Sequence, residues 1–137
     1  MRPGTAEAVA AELSGMTREQ LDALPYGAIR LSARGTIISY NATEGRLAGR
    51  SPQRVLGKNF FRDVAPCTDV REFRGRFAEL IETGRSIFYE FDFQFTFDPP
   101  ARVRITLLRG SGDDGVWVLV EPQAGGTVPA RAPGDAP

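Results

Sequence analysis

Cys67 is the chain's one thiol and Lys58 its one lysine, and among 137 residues there is no histidine. A cysteine or serine nucleophile normally relies on an imidazole base, and histidine is the commonest metal ligand. Ordinary hydrolase and zinc-site chemistries are therefore excluded, and a cysteine-dependent enzyme ranks last among the function classes. One side-chain amine makes Schiff-base chemistry improbable as well. Read alone, a single cysteine is a small apolar filler. A second group of interest is Tyr40, Asn41 and Glu44. Asn41 can cap a helix turn with Glu44 at its third position, which makes Glu44 an exposed, ionised capping partner and Tyr40 an ordinary strand-end tyrosine. Arg50 is one of sixteen arginines, and its plain reading is a solvated surface residue.

The elements that must position these residues can be read from periodicity. Residues 1–24 are Ala-rich and hold two short helical segments, the second opening on the capping box Thr17 to Gln20. Gly27 to Leu31 and Thr36 to Tyr40 are short β-branched runs around a turn, which predicts a hairpin. Ser51-Pro52 starts another short helix. Phe73, Phe77, Leu80 and Ile81 share a helical face, which predicts a helix from about Asp69 to Gly84. From Tyr89 to Phe97 every odd position is aromatic, the period of a half-buried strand. Asp98-Pro99-Pro100 is a turn, and strands follow around Val103 to Leu107 and Val116 to Val120. Two strands, then helices, then three strands describe an α+β domain of the PAS type, a five-stranded antiparallel sheet flanked by helices with a small N-terminal helical lid. The expected organisation is a lid at 1–24, a sensory core at 25–121 and a disordered, Pro- and Gly-rich tail at 122–137.

Composition narrows the partners. Seventeen acidic residues balance seventeen basic ones, so no net field gathers nucleic acid or an anionic membrane. One cysteine makes no internal disulfide, and no apolar run approaches a signal core or a membrane span. A cytoplasmic, monomeric protein without a metal is expected.

The segment Gly57 to Cys67 (GKNFFRDVAPC), preceded by Tyr40 to Gly45 (YNATEG), resembles the chromophore region of photoactive yellow proteins. The likeness extends from about Leu21 to Val120. It implies a blue-light receptor without enzymatic activity, carrying 4-hydroxycinnamic acid (p-coumaric acid) as a thioester on Cys67. It further implies that Tyr40 and a protonated Glu44 hydrogen-bond the chromophore's phenolate, that Arg50 covers the pocket, and that Phe60, Phe93, Phe95 and Phe97 line it. Glu44 is then the proton donor after trans-to-cis isomerisation, and partial unfolding carries the signal to an unknown downstream protein. Two departures stand out: Ala48 replaces a threonine that bonds the tyrosine hydroxyl, and Phe97 replaces a methionine beside the chromophore. The rival expectation is a PAS-like module that binds a noncovalent ligand or a protein and uses no light.

Overall fold

The computed structural model describes residues 3–83, 88–96, 101–110 and 115–123. Two helices, α1 (Pro3–Ser14) and α2 (Arg18–Asp22), precede the hairpin β1 (Gly27–Ser32) and β2 (Ile37–Tyr40). Next come α3 (Ala42–Ala48), α4 (Pro52–Val55), a π-helical turn at Phe60–Val64, a 3-10 turn at Pro66–Thr68, and a second π-helical turn at Arg71–Gly75 that runs into α5 (Arg76–Thr83). Strands β3 (Phe88–Phe95), β4 (Ala101–Leu108) and β5 (Gly115–Pro122) complete an antiparallel sheet of order β2-β1-β5-β4-β3. The expected five-stranded antiparallel sheet flanked by helices is thus observed. The helix expected over about 69–84 is observed from Arg71 to Thr83, with its first turn widened to π geometry, and Gly84 lies outside the described residues. The period-3.6 face of Phe73, Phe77 and Leu80 survives that change, and all three are buried. Phe97 and the turn at Pro99-Pro100 lie outside the described residues, as does the tail from residue 124.

Alternation along the strands gives the sheet two apolar faces. Ile29, Leu31, Val103, Ile105, Leu107, Val116, Val118 and Val120 pack on one side with Tyr40, Phe60, Phe61, Phe73, Phe77 and Phe95. Ala28, Leu108, Trp117 and Leu119 point the other way, onto Ala6, Ala10 and Leu13 of α1 and Leu21 of α2. Trp117 donates its indole N–H to Ser14 Oγ at 3.2 Å, and the Arg30 guanidinium lies 5.5 Å from its ring centroid. The N-terminal helices therefore cover the face of the sheet opposite the aromatic core. Strand β2 is not a bare edge: Ile37 N–H donates to Lys58 C=O, Gly57 N–H to Ile37 C=O, and Thr36 bridges Asn59.

Asn41 joins these layers. It is 2% exposed, and its Oδ1 accepts from the backbone N–H of Glu44 (3.0 Å) and of Ala28 (2.9 Å). Its amide nitrogen donates to the carbonyls of Leu21 (2.8 Å) and Tyr26 (3.1 Å). One side chain thus starts α3, pins it to β1 and holds the segment that follows α2. Removing it leaves several buried backbone groups without partners, each costing about 1–3 kcal/mol. The variant Asn41→Ala is expected to lose roughly 3 kcal/mol or more in urea unfolding. Asn41→Asp, which keeps both acceptor contacts but can no longer donate to Leu21 and Tyr26, should be destabilised as well; an Asn41→Ala loss within error of zero would remove the residue from this role.

Candidate functional site

Glu44 occupies the first turn of α3 with its carboxyl turned inward. The residue is 3% exposed, and among the described residues Oε1 has no hydrogen-bond partner. It is not the reciprocal partner of a capping box, because the Asn41 N–H it would accept already donates to Ala28 C=O at 3.1 Å. Burial without a compensating cation pushes its pKa from 4.5 up to about 8, so the group carries its proton at neutral pH. Tyr40, at the end of β2 and paired with Ile29, is 7% exposed. Its hydroxyl is held well above the usual tyrosine value, first by burial and then by the nearby Glu44 carboxyl, with Arg50 opposing. Two protonated oxygen acids thus share one buried region, each a potential donor.

Backbone features aim the other residues. Helix α3 ends at Gly49 in the left-handed region (φ 67), and Arg50 N–H returns to Gly45 C=O at 2.9 Å. That return is tight: a Cβ on Gly45 would sit 2.8 Å from Arg50 C=O. Arg50 itself is exposed, on a loop close enough to influence Tyr40. Asn59 caps the first π-turn, accepting from Phe61 N–H (3.1 Å) and Arg62 N–H (3.0 Å), and Ala65 N–H closes it on Phe60 C=O at 2.8 Å. The extra residue per turn lets consecutive Phe60 and Phe61 both enter the core, at 2% and 1% exposure. Pro66 then opens the 3-10 turn that carries Cys67, closed by Thr68 Oγ1 donating to Ala65 C=O at 2.6 Å. Cys67 is half-buried, with its side chain against the core that contains Tyr40, Phe60 and Phe95.

The aromatic residues form one continuous cluster. Phe73 stands at its centre, with ring centroids 5.8 Å from Phe60, 5.5 Å from Phe91 and 5.2 Å from Phe93, and Phe93 lies 5.5 Å from Phe95. Their mostly edge-to-face contacts are the favoured arrangement for such rings. Beside Glu44, a gap of about 10 Å³ is lined by Leu47, Ala48, Phe95, Ala101, Val103, Val120 and Pro122. Ala48 therefore borders the same space as Glu44.

Of the residues singled out from sequence, Cys67, Tyr40, Phe60, Phe93 and Phe95 share this core and Glu44 borders it in the gap beside Phe95, while Arg50 stands exposed on its loop. Gly27 escaped the sequence reading. A Cβ there would collide with Glu44 Oε1 and stand 3.0 Å from Glu44 Cδ, so the bare Cα of β1 provides the hollow for the carboxyl. A glycine inside a strand was the available signal, since it often marks a close approach.

Comparison with known proteins comes to the same region. The PAS fold family matches residues 15–122. A photoactive yellow protein of Rhodothalassium salexigens is 46% identical over 112 residues, covering 80% of this chain and 87% of the relative. The crystal structure of the photoactive yellow protein domain of the sensor histidine kinase Ppr from Rhodospirillum centenum superposes with a TM-score of 0.77 at 42% identity, over 82% of this chain and 98% of that one. The PAS domain of an HTR-like protein from Haloarcula marismortui, 19% identical with a TM-score of 0.57 over 82% of this chain and 99% of that one, shares the fold.

Two outcomes are expected from the buried carboxyl. Between its unfolded value of 4.5 and its folded value of about 8, only the folded state holds the Glu44 proton, so its contribution to stability is full below 4.5 and falls as pH rises to 8. The slope approaches about 1.4 kcal/mol per pH unit and should vanish in Glu44→Gln; parallel pH curves for the two proteins would show that Glu44 does not titrate this way. Separately, Gly27→Ala must displace the carboxyl or its helix, and should cost about 1–3 kcal/mol. Gly27→Ala should also change the pH slope, whereas a neutral substitution with an unchanged slope would show that the hollow is unused.

Proposed function

The chain belongs to the family of photoactive yellow proteins, which are light receptors, and we propose that it senses blue light through a 4-hydroxycinnamoyl thioester on Cys67. In this reading Tyr40 and Glu44 donate hydrogen bonds to the phenolic oxygen, Phe60, Phe93 and Phe95 flank the ring, and Arg50 covers the pocket. The observation that carries it is Glu44 Oε1, buried, protonated and without a partner among the described residues. Native structures rarely leave such an atom unsatisfied, and a bound acceptor is the simplest completion. The half-buried sulfur of Cys67 against the same core supplies the tether. The gap beside Glu44 is about one water in size, so a ring that reaches it must displace neighbouring side chains.

When bound, the group supplies absorption of blue light, trans-to-cis isomerisation, and a phenolic oxygen whose basicity changes. Glu44, protonated up to about pH 8, would be the residue that supplies a proton to that oxygen. Its carboxylate is then buried without a cation, a state costly by several kcal/mol. Relief comes from hydration, which requires α3 to move. The first turn of α3 is bonded to the end of α2 and the segment after it: Ala42 N–H donates to Asp22 Oδ1 at 2.7 Å, and Thr43 Oγ1 to Leu24 C=O at 2.6 Å. Movement of α3 therefore strains the seat of the N-terminal helices, whose loosening is the proposed signal. By analogy with the domain in the histidine kinase of R. centenum, the receiver would be a signalling protein, met in the cytoplasm.

Supplying the apoprotein with an activated 4-hydroxycinnamoyl donor should give a yellow protein with one adduct, mapped to Cys67 by mass spectrometry of a digest. In Glu44→Gln the absorption should move to longer wavelength, and the protonated-carboxyl band lost on illumination should vanish from the infrared difference spectrum. A colourless product would favour a PAS-like module that uses no light. An intact band in the Gln variant would take the proton-donor role from Glu44.

A further inference from the structure

Outside the aromatic core, Arg50, Arg54 and Lys58 line a groove of about 640 Å³ together with Gly49, Ser51, Val55, Asp63 and Val64. The concentration of positive charge is local, since the chain as a whole is neutral. Several other arginines are engaged: Arg62, Arg74 and Arg104 pair with Asp63, Asp69 and Asp92, Arg76 stacks on Phe91, and Arg109 donates to backbone carbonyls of α5. Among the described residues no ion pair engages Arg50, Arg54 or Lys58. Asp63, the one acid in the lining, is bound by Arg62 and accepts from Asn59 N–H at 3.2 Å. Val55 and Val64 give the groove a buried apolar floor, and open space beside Gly49 leaves its rim unobstructed. The volume falls in the range of small-molecule sites, roughly 300–1,000 Å³.

We propose that this groove binds a small polyanion bearing phosphate groups, held by the guanidinium forks of Arg50 and Arg54 and the ammonium of Lys58. Planar forks match phosphate oxygens in pairs, and an ammonium adds a point charge, so the set suits at least two anionic groups. The valine floor accommodates an attached carbon skeleton. Arg50 belongs to both the groove and the light-sensing site, so an occupant screens the positive charge that favours anionic oxygen near Tyr40. This coupling rests on the chromophore reading; the binding itself does not.

Inorganic pyrophosphate serves as the probe, titrated calorimetrically into the apoprotein at fixed ionic strength. Saturable one-to-one binding is expected, weakened at least about tenfold in the double variant Arg54→Gln, Lys58→Gln. A control with the same loss of charge elsewhere, Arg18→Gln with Arg102→Gln, should bind as the parent does. Equal weakening in both variants, or no saturable heat in the parent, would overturn the site. In chromophore-loaded protein, pyrophosphate should raise the pH midpoint at which the phenolate protonates, and should not do so in the groove variant. Binding to the apoprotein with no midpoint shift in the loaded protein would leave the groove standing and overturn the coupling.

Discussion

A carboxyl group that sits inside a protein with no cation beside it must stay protonated or find compensation, and Glu44 imposes that requirement on its surroundings. Gly27 is bare so that the carboxyl has room. Asn41 takes over the capping of α3, which relieves Glu44 of the role its position in the helix would suggest. Tyr40 contributes a second protonated oxygen, kept so first by burial, with the Glu44 charge adding to that only once the carboxyl ionises. The effect is a pair of protonated oxygen acids stored in an apolar core.

The two-faced sheet decides how a change at that pair can travel. The aromatic core and the N-terminal helices lie on opposite faces, so in the proposed reading a signal would have to cross β1 or go around its end. Asn41, Ala42 and Thr43 provide the second route, since their bonds to Leu21, Asp22, Leu24 and Tyr26 bypass the sheet.

Much of this could be read from the sequence, for physical reasons that differ by element. Strand β3 was legible because Tyr89, Phe91, Phe93 and Phe95 alternate with polar residues, and the structure turns those rings to the core while Glu90, Asp92 and Gln94 are exposed. The YNATEG and GKNFFRDVAPC segments pointed to the candidate site through resemblance, whereas spacing alone left Glu44 undecided between an exposed cap and a buried acid. Burial separates the two, and burial comes from contacts with β1 that lie far off in sequence. The π-turns at Phe60–Val64 and Arg71–Gly75 were not legible, because a five-residue widening hardly disturbs a 3.6-residue pattern. Gly27 was read as a strand residue and nothing more, since its importance lies in the partner it faces.

The contact between Trp117 and Ser14 has an experimental consequence. Trp117 is the chain's only tryptophan, lies under α1, and stacks with Arg30 on the face of the sheet away from the aromatic core. Its ultraviolet emission comes from a single place, and undocking of α1 would expose the indole to water and quench or redden it. The molecule thus carries an intrinsic fluorescent gauge of its N-terminal helices, readable without labels and spectrally separate from any visible colour at Cys67.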